Sequence, residues 1–188
     1  LRQVMLKGGQ WAVEHGYGWP EDIEVTEERG RMEAADPSAV SAQAVKRGLP
    51  QIGTLGSGNH FIEVGYVDEI YDEKAAEVFG LRKNGITVII HTGSRGFGHQ
   101  VCEDSIHVLN RAVNKYGIHI PDRQLCCAPI KSKEGQSYLG AMACAVNFGF
   151  ANRQIIGEGV RRAFQEVLQK SPRNIGLEVV YEVAHNIA

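Results

Sequence analysis

The sequence predicts an α/β chain in the broad sense (α+β), organised as a single domain over residues 1–188, and three observations lead there. A continuous apolar run, Ile86-Thr-Val-Ile-Ile90, is followed at once by the glycine-rich turn Thr92-Gly-Ser-Arg-Gly-Phe-Gly98 and then by a helical stripe, which makes a strand, loop, helix unit. Between positions 60 and 66 apolar and polar residues alternate with a period of two, as a strand does. The opening residues and the stretch 134–170 carry helical spacing instead. With 188 residues, 43% hydrophobic and 22% charged, the chain is long enough to bury a core and too apolar for wholesale disorder.

Taken in order, Leu1, Val4, Met5, Gly8, Trp11, Ala12 and His15 recur at three and four and form an amphipathic helix that Gly16 ends. Residues 20–35 are acidic and polar and read as a solvated segment with one short helix, the paired acids Glu21-Asp22 and Glu27-Glu28 on its wet face. Asp36 as N-cap and Pro37 at the first helical position start a helix to about Arg47, which Gly48 and Pro50 close. His60, Ile62, Val64 and Tyr66 then alternate with Phe61, Glu63 and Gly65 as a strand. A helix near 72–79 leads into the 86–90 strand, whose unbroken apolarity suits a sheet buried on both faces, and His91 ends it. The next helix should turn Val101, Ser105, Val108, Leu109, Ala112 and Tyr116 inward. Residues 134–170 read as one broken or two consecutive helices, and 177–185 as a last strand with Leu177, Val179, Tyr181, Val183 and His185 on one side.

Composition removes several function classes. Twenty Lys and Arg against 22 Asp and Glu give a formal charge of -2, so no global basic field draws in nucleic acid, and any phosphate site must be local. The most apolar stretch, residues 140–150, is too short to span a bilayer, so no membrane partner is expected. The four cysteines, Cys102, Cys126, Cys127 and Cys144, lack metal or disulfide spacing and point to a reduced, cytoplasmic compartment, with Cys102 and Cys144 as small core residues.

Three groups of residues could carry chemistry. His60, His91 and His185 each sit at the end of an apolar strand; they are either half-buried core histidines or three imidazole ligands for a metal such as Zn, Cu, Ni or Mn. His15, His99, His107 and His119 fall on helix or loop positions and read as ordinary. The 92–98 turn is either a tight strand-to-helix connection or an anion site in which backbone N–H groups, the helix N-terminus and the forked Arg95 side chain converge. Lys46 and Arg47 complement a helix dipole, and would meet RNA as well only if they share a surface with Arg95.

Four strings in one order, Gly53-Thr-Leu-Gly-Ser-Gly-Asn-His-Phe61, His91-Thr-Gly-Ser-Arg-Gly-Phe-Gly-His-Gln100, Asn147-Phe-Gly-Phe-Ala-Asn-Arg153 and Ala184-His-Asn-Ile-Ala188, closely resemble the RtcB-type RNA-splicing ligases. The resemblance extends through Gly30-Arg-Met-Glu-Ala-Ala-Asp-Pro37 and Lys46-Arg-Gly-Leu-Pro50, and so over essentially the whole chain.

That resemblance implies mixed sheets flanked by helices around a central metal and GTP pocket, of which these residues form the central part of the catalytic domain. It implies a GTP- and manganese-dependent ligase, with two ions in the intact enzyme, that joins an RNA 3′-phosphate or 2′,3′-cyclic phosphate end to a 5′-hydroxyl end through a histidine–GMP intermediate. The RNA would be tRNA halves in splicing, or broken RNA in repair, and an archease-type activator is a possible partner. The metal ligands implied are His60, His91 and His185. The guanylate is expected to meet Asn59, His60, Phe61, Ile62, Glu63, His185 and Asn186, and Arg47 and Arg95 to hold RNA phosphates. Relatives carry an aspartate and a bridging cysteine upstream of the region matching Leu1, and the guanylylated histidine downstream of the region matching Ala188, so the 188-residue piece alone is expected to be inactive in ligation. Two other readings use the same histidines: a metal-containing nucleic-acid-binding module without turnover, and a metal-dependent phosphohydrolase with water as nucleophile.

Overall fold

A computed structural model describes residues 1–185 and 187. The element order is α1 (Arg2–Glu14), α2 (Pro20–Glu24), α3 (Ala42–Gly48), β1 (Phe61–Tyr66), α4 (Glu73–Val78), β2 (Ile86–His91), α5 (Arg95–Lys115) and α6 (Lys133–Leu168), with short 3-10 turns at Glu27–Gly30, Pro37–Ala39, Leu49–Gln51 and Arg123–Leu125.

The spine is α6, a single helix of 36 residues. Ser132 caps its start by accepting the Gly135 N–H at 3.0 Å, and Gln169 ends it in a left-handed conformation. Its middle, residues 140–150, is buried on every side, which is why the sequence there shows no helical period. The 134–170 stretch is therefore neither broken nor two helices. Around it α1 supplies Val4, Met5 and Ala12, α3 supplies Ala44, and α5 supplies Phe97 and Val101, all meeting Ala141, Cys144 and Phe148. Phe97 and Phe148 stack with ring centroids 5.0 Å apart at the centre of this cluster.

Class α+β holds, but the mixed sheets do not: among the described residues the sheet is one antiparallel pair, with Phe61 opposite His91 and Tyr66 opposite Ile86. Nor is β2 buried on both faces. Ile86 is 62% and Ile89 50% exposed, and they point to opposite sides, because a two-stranded ribbon has no neighbouring strands or covering helices to bury both. The expected last strand at 177–185 is reduced to one bridge between Thr26 and Glu182; Leu177 and Val179 are half-buried as expected, but from Tyr181 on the phase is reversed, with Glu182 and Ala184 turned in and Tyr181, Val183 and His185 out.

Other expectations shift for local reasons. Asp36 and Pro37 start only a 3-10 turn; Val40 is extended, and Ser41 accepts from Ala44 N–H to start α3 afresh. The acidic 20–35 segment holds α2 and a 3-10 turn, and Asp22 is buried on it, not solvated. Helix α5 buries Val101, Leu109 and Ala112 as expected, with Phe97 and Val113 in place of Val108 and Tyr116. Cys144 lies in the core, where burial pushes its thiol up to about 12, whereas Cys102 is exposed. Among the described residues no helix is long and apolar enough to cross a membrane.

Candidate metal and phosphate site

Residues 53–60 loop over the start of α5 before entering β1, and β2 delivers its last residue, His91, to the same end of the hairpin. His91 and Phe61 are register partners, and their rings meet edge to face at 5.2 Å. By strand alternation Phe61, Glu63 and His91 share one face of the hairpin, while Ile62 and Val64 turn to the other. Asn59, Phe61, Ile62 and Glu63 are all exposed.

The three sequence-predicted histidines come near one another. His91 Nε2 stands 3.2 Å from His185 Nε2, and the His60 and His91 ring centroids are 6.2 Å apart. His185 reaches this place from an irregular segment, not from a strand end. Two ligands about 2.1 Å from one ion stand roughly 3.0–3.4 Å apart, so the facing nitrogens of His91 and His185 fit a shared metal. His60 is arranged differently: its Nδ1 accepts from Arg95 Nη1 at 3.1 Å, since a guanidinium can only donate. Burial, and then the Arg95 and His91 charges, hold the His60 imidazolium below its usual range, against a backbone hydrogen bond with Leu55 that favours it. Among the described residues no group of three or more His, Cys, Asp or Glu side chains is placed to hold a metal ion, so this chain offers a pair and a neighbour.

Arg95 is the first residue of α5 and has a φ of 54°, a left-handed conformation for a non-glycine residue at the head of a helix. That turn aims the guanidinium back under the loop, where Nε donates to Thr54 Oγ1 at 3.3 Å and Nη1 to His60. Gly56, with a φ of 105°, lies directly on this contact; a Cβ there would overlap the Arg95 guanidinium and sit 2.5 Å from His60 Nδ1. The 92–98 segment is thus less open than expected: helix begins at Arg95, Phe97 is fully buried, and the Gly96 N–H already donates to Gln51 Oε1 at 2.8 Å. Arg47, in the last turn of α3, does share this end of α5. Its Nη1 donates to Gln100 Oε1 at 2.9 Å and Glu103 Oε2 at 3.2 Å.

Residues the sequence had not singled out hold these parts together. Asn152 is fully buried on α6; its Oδ1 accepts from Gly53 N–H at 2.7 Å and Thr54 N–H at 3.1 Å, and its Nδ2 donates to the carbonyls of Thr54 and Gly93, both at 3.1 Å. Asn147 likewise spans Met5 and Met32. Asparagine is a poor helix former, so Asn147 inside the most apolar run of the chain and Asn152 just past it signalled bonds to other segments. Asn186 lies outside the described residues.

The central pocket of the sequence reading is not the larger cavity. That groove, of about 620 Å³, lies between β1 and α6, takes in Leu55, Ile62, Val64, Ile155 and Phe164, and includes none of the three histidines.

The family model described as tRNA-splicing ligase RtcB matches residues 1–188. A tRNA-splicing ligase RtcB from Archaeoglobus fulgidus is 56% identical over 188 residues, covering all of this chain and 39% of that protein. Its counterpart in Methanococcus maripaludis is 53% identical over the same length, again 39% of that protein, and one in Pyrococcus abyssi is 54% identical over 187 residues, 20% of that protein. The chain therefore spans well under half of these relatives, and across that span it belongs to the tRNA-splicing ligase RtcB family.

Proposed function

We propose that this chain is the metal- and phosphate-handling part of an RNA ligase that uses GTP and Mn²⁺ to join an RNA 3′-phosphate or 2′,3′-cyclic phosphate end to a 5′-hydroxyl end, through a histidine–GMP adduct. The observation that carries the reading is the facing of His91 Nε2 and His185 Nε2 at 3.2 Å, in a chain that belongs to a tRNA-splicing ligase family. His91 and His185 would hold one ion and His60 would serve a second. Manganese bound there would offset phosphate charge and polarise phosphorus.

The chain's own residues act around that centre. Arg95 presents a permanent cation, planar and forked, at the N-terminus of α5, where the helix dipole also favours an anion. Burial first, and then the Arg95 and His91 charges, favour the neutral His60 imidazole, and Arg95 would have to release Nδ1 before that nitrogen could meet an ion. Arg47, on the same end of α5, extends the cationic surface for a further RNA phosphate. Asn59 and Glu63, both exposed, are read as guanylate contacts together with His60, Phe61 and His185, and with Ile62 from the other face of the hairpin; Asn186, also expected there, lies outside the described residues. The RNA is that of tRNA splicing or repair, in the cytoplasm, with an archease-type protein as activator.

The test replaces the corresponding segment of the full-length Archaeoglobus fulgidus relative with these 188 residues and supplies labelled GTP, Mn²⁺ and RNA ends. An acid-labile protein–GMP adduct followed by sealed RNA is the expected outcome. A folded chimera that only removes phosphate, or only binds RNA, overturns the reading in favour of a phosphohydrolase or a binding module.

A further inference from the structure

We infer that Arg153 is a positioning residue that sets the spacing of His91 and His185; the proposal rests on reading those two histidines as ligands of one ion. Arg153 stands on α6, an element separate in sequence from the hairpin and from the last segment. Its Nη1 donates to the carbonyl oxygen of Thr92 at 2.9 Å, on the residue directly after His91. Its Nε donates to Glu182 Oε1 at 2.7 Å, three residues before His185. One planar guanidinium thus ties the Thr92 backbone to the Glu182 side chain, on the two segments that carry the facing rings, and does so from a helix whose middle is buried on every side.

The surroundings make this a joint and not a surface ion pair. The Arg153 and Glu182 side chains are 11% and 13% exposed, so their charge-assisted bond is little screened by water. Glu182 N–H donates to Val25 O at 3.1 Å, its carbonyl accepts from Glu27 N–H at 2.9 Å, and Ala184 N–H donates to Glu27 Oε2 at 2.8 Å. Those bonds register the segment before His185 against residues 25–27, and Arg153 then ties that assembly to the end of β2. The Phe150 ring, 5.5 Å from the guanidinium carbon, limits its swing. Arg153 Nη2 is buried with no hydrogen-bond partner among the described residues. A side chain held only for stability would be expected to satisfy that nitrogen; here its orientation follows the two bonds that span the histidines.

The experiment uses the 188-residue chain and the variants Arg153→Gln, Arg153→Lys and Glu182→Gln, each checked for folding by circular dichroism. The first readout needs no metal: the nuclear Overhauser contact between the His91 and His185 rings. Arg153→Gln and Arg153→Lys should lose it, because a lysine ammonium cannot reproduce the two-pronged bond, while helix content stays unchanged. The second is titration with Co²⁺ alone, where the loss should be about tenfold or more in affinity, as for other groups that orient metal ligands. A folded Arg153→Gln chain that keeps the ring contact overturns the proposal, as does its absence from the unaltered chain. If Arg153→Gln does not fold, Glu182→Gln decides on the same criterion. Failure of the unaltered chain to bind Co²⁺, with the ring contact present and lost in Arg153→Gln, would sink the shared-ion reading and leave the spacing role standing.

Discussion

The Asp22 carboxylate and the Arg161 guanidinium, 139 residues apart in sequence, meet in a buried bidentate pair with N–O distances of 2.6 and 2.7 Å. Gln154 Nε2 and the Trp19 N–H donate to the same carboxylate, and Arg161 lies 3.6 Å over the Trp19 ring. Burial alone would push the Asp22 carboxyl up, but the Arg161 bonds and the two neutral donors outweigh it and hold it below its ordinary value. A carboxyl depressed in the folded state stabilises the fold above its unfolded pKa, near 3.9, and loses that stabilisation as pH falls through the lower folded value. Thermal melts of the chain should therefore drop in midpoint below about pH 4, and less so in Asp22→Asn. Removing the partner outright, Asp22→Ala, should cost about 3–5 kcal/mol because Arg161 is left buried and unpaired. Equal acid sensitivity in the parent and Asp22→Asn chains would assign the acid transition to other groups.

Metal content offers a direct check on the histidine pair. His91→Ala should lower bound Mn²⁺ or Co²⁺ severely, by about tenfold or more in affinity, whereas His107→Ala, an exposed residue on α5, should leave it unchanged. Elemental analysis after gel filtration reads the difference. The same metal content in both variants would return His91 to the standing of a half-buried core residue.

For Arg95 the chimera separates two roles. Arg95→Ala should leave labelling by GTP largely in place and slow RNA joining by roughly 10²-fold or more, as expected when a fixed cation is taken from a phosphoryl-transfer site. Loss of labelling itself, with RNA binding unchanged, would put Arg95 at the nucleotide.

The hairpin, the start of α5 and the placing of His91 were legible because each depends on neighbours within a few residues. Period-two alternation marked β1, the apolar run marked β2, and the glycines after His91 marked a turn into helix. Asp22 was misread as solvated because the group that neutralises it, Arg161, is far along the chain, and a local acidic run looks the same with or without such a partner. Residues 177–185 alternate apolar and polar just as a strand does, yet among the described residues no strand lies beside them for a ladder, and the bond that Arg153 donates to Glu182 turns that residue in and Tyr181, Val183 and His185 out. Asn152 and Arg153 stood in a recognisable string, but their work is done on Gly53, Thr92 and Glu182, and spacing carries no trace of that.

Asn152 makes the strongest stability prediction. Asn152→Ala removes four hydrogen bonds at once and takes their Asn152 partner from the Gly53 amide and the Thr54 and Gly93 carbonyls, while the Thr54 N–H keeps its bond to Gln51 O at 3.2 Å. At about 1–3 kcal/mol for each buried group left unpaired, the loss should exceed about 3 kcal/mol even after partial rescue by water. Urea denaturation measures it; a loss under about 1 kcal/mol would mean that the 53–58 and 92–94 loops hold their shapes unaided.

Helix α6 carries Asn147, Asn152, Arg153 and Arg161, and each binds a segment made earlier: Met5 and Met32, Gly53 and Gly93, Thr92, and Asp22. The order of synthesis gives this a cost. Gly53 leaves the ribosome 99 residues ahead of the asparagine that shapes its loop, a wait of roughly 5–20 s at ordinary elongation rates of about 5–20 residues per second. Through that interval the loop after Gly53 has no asparagine to shape it, and the hairpin completed at His91 is made with no α6 behind it, so the nascent chain is most exposed to mispairing just before α6 emerges.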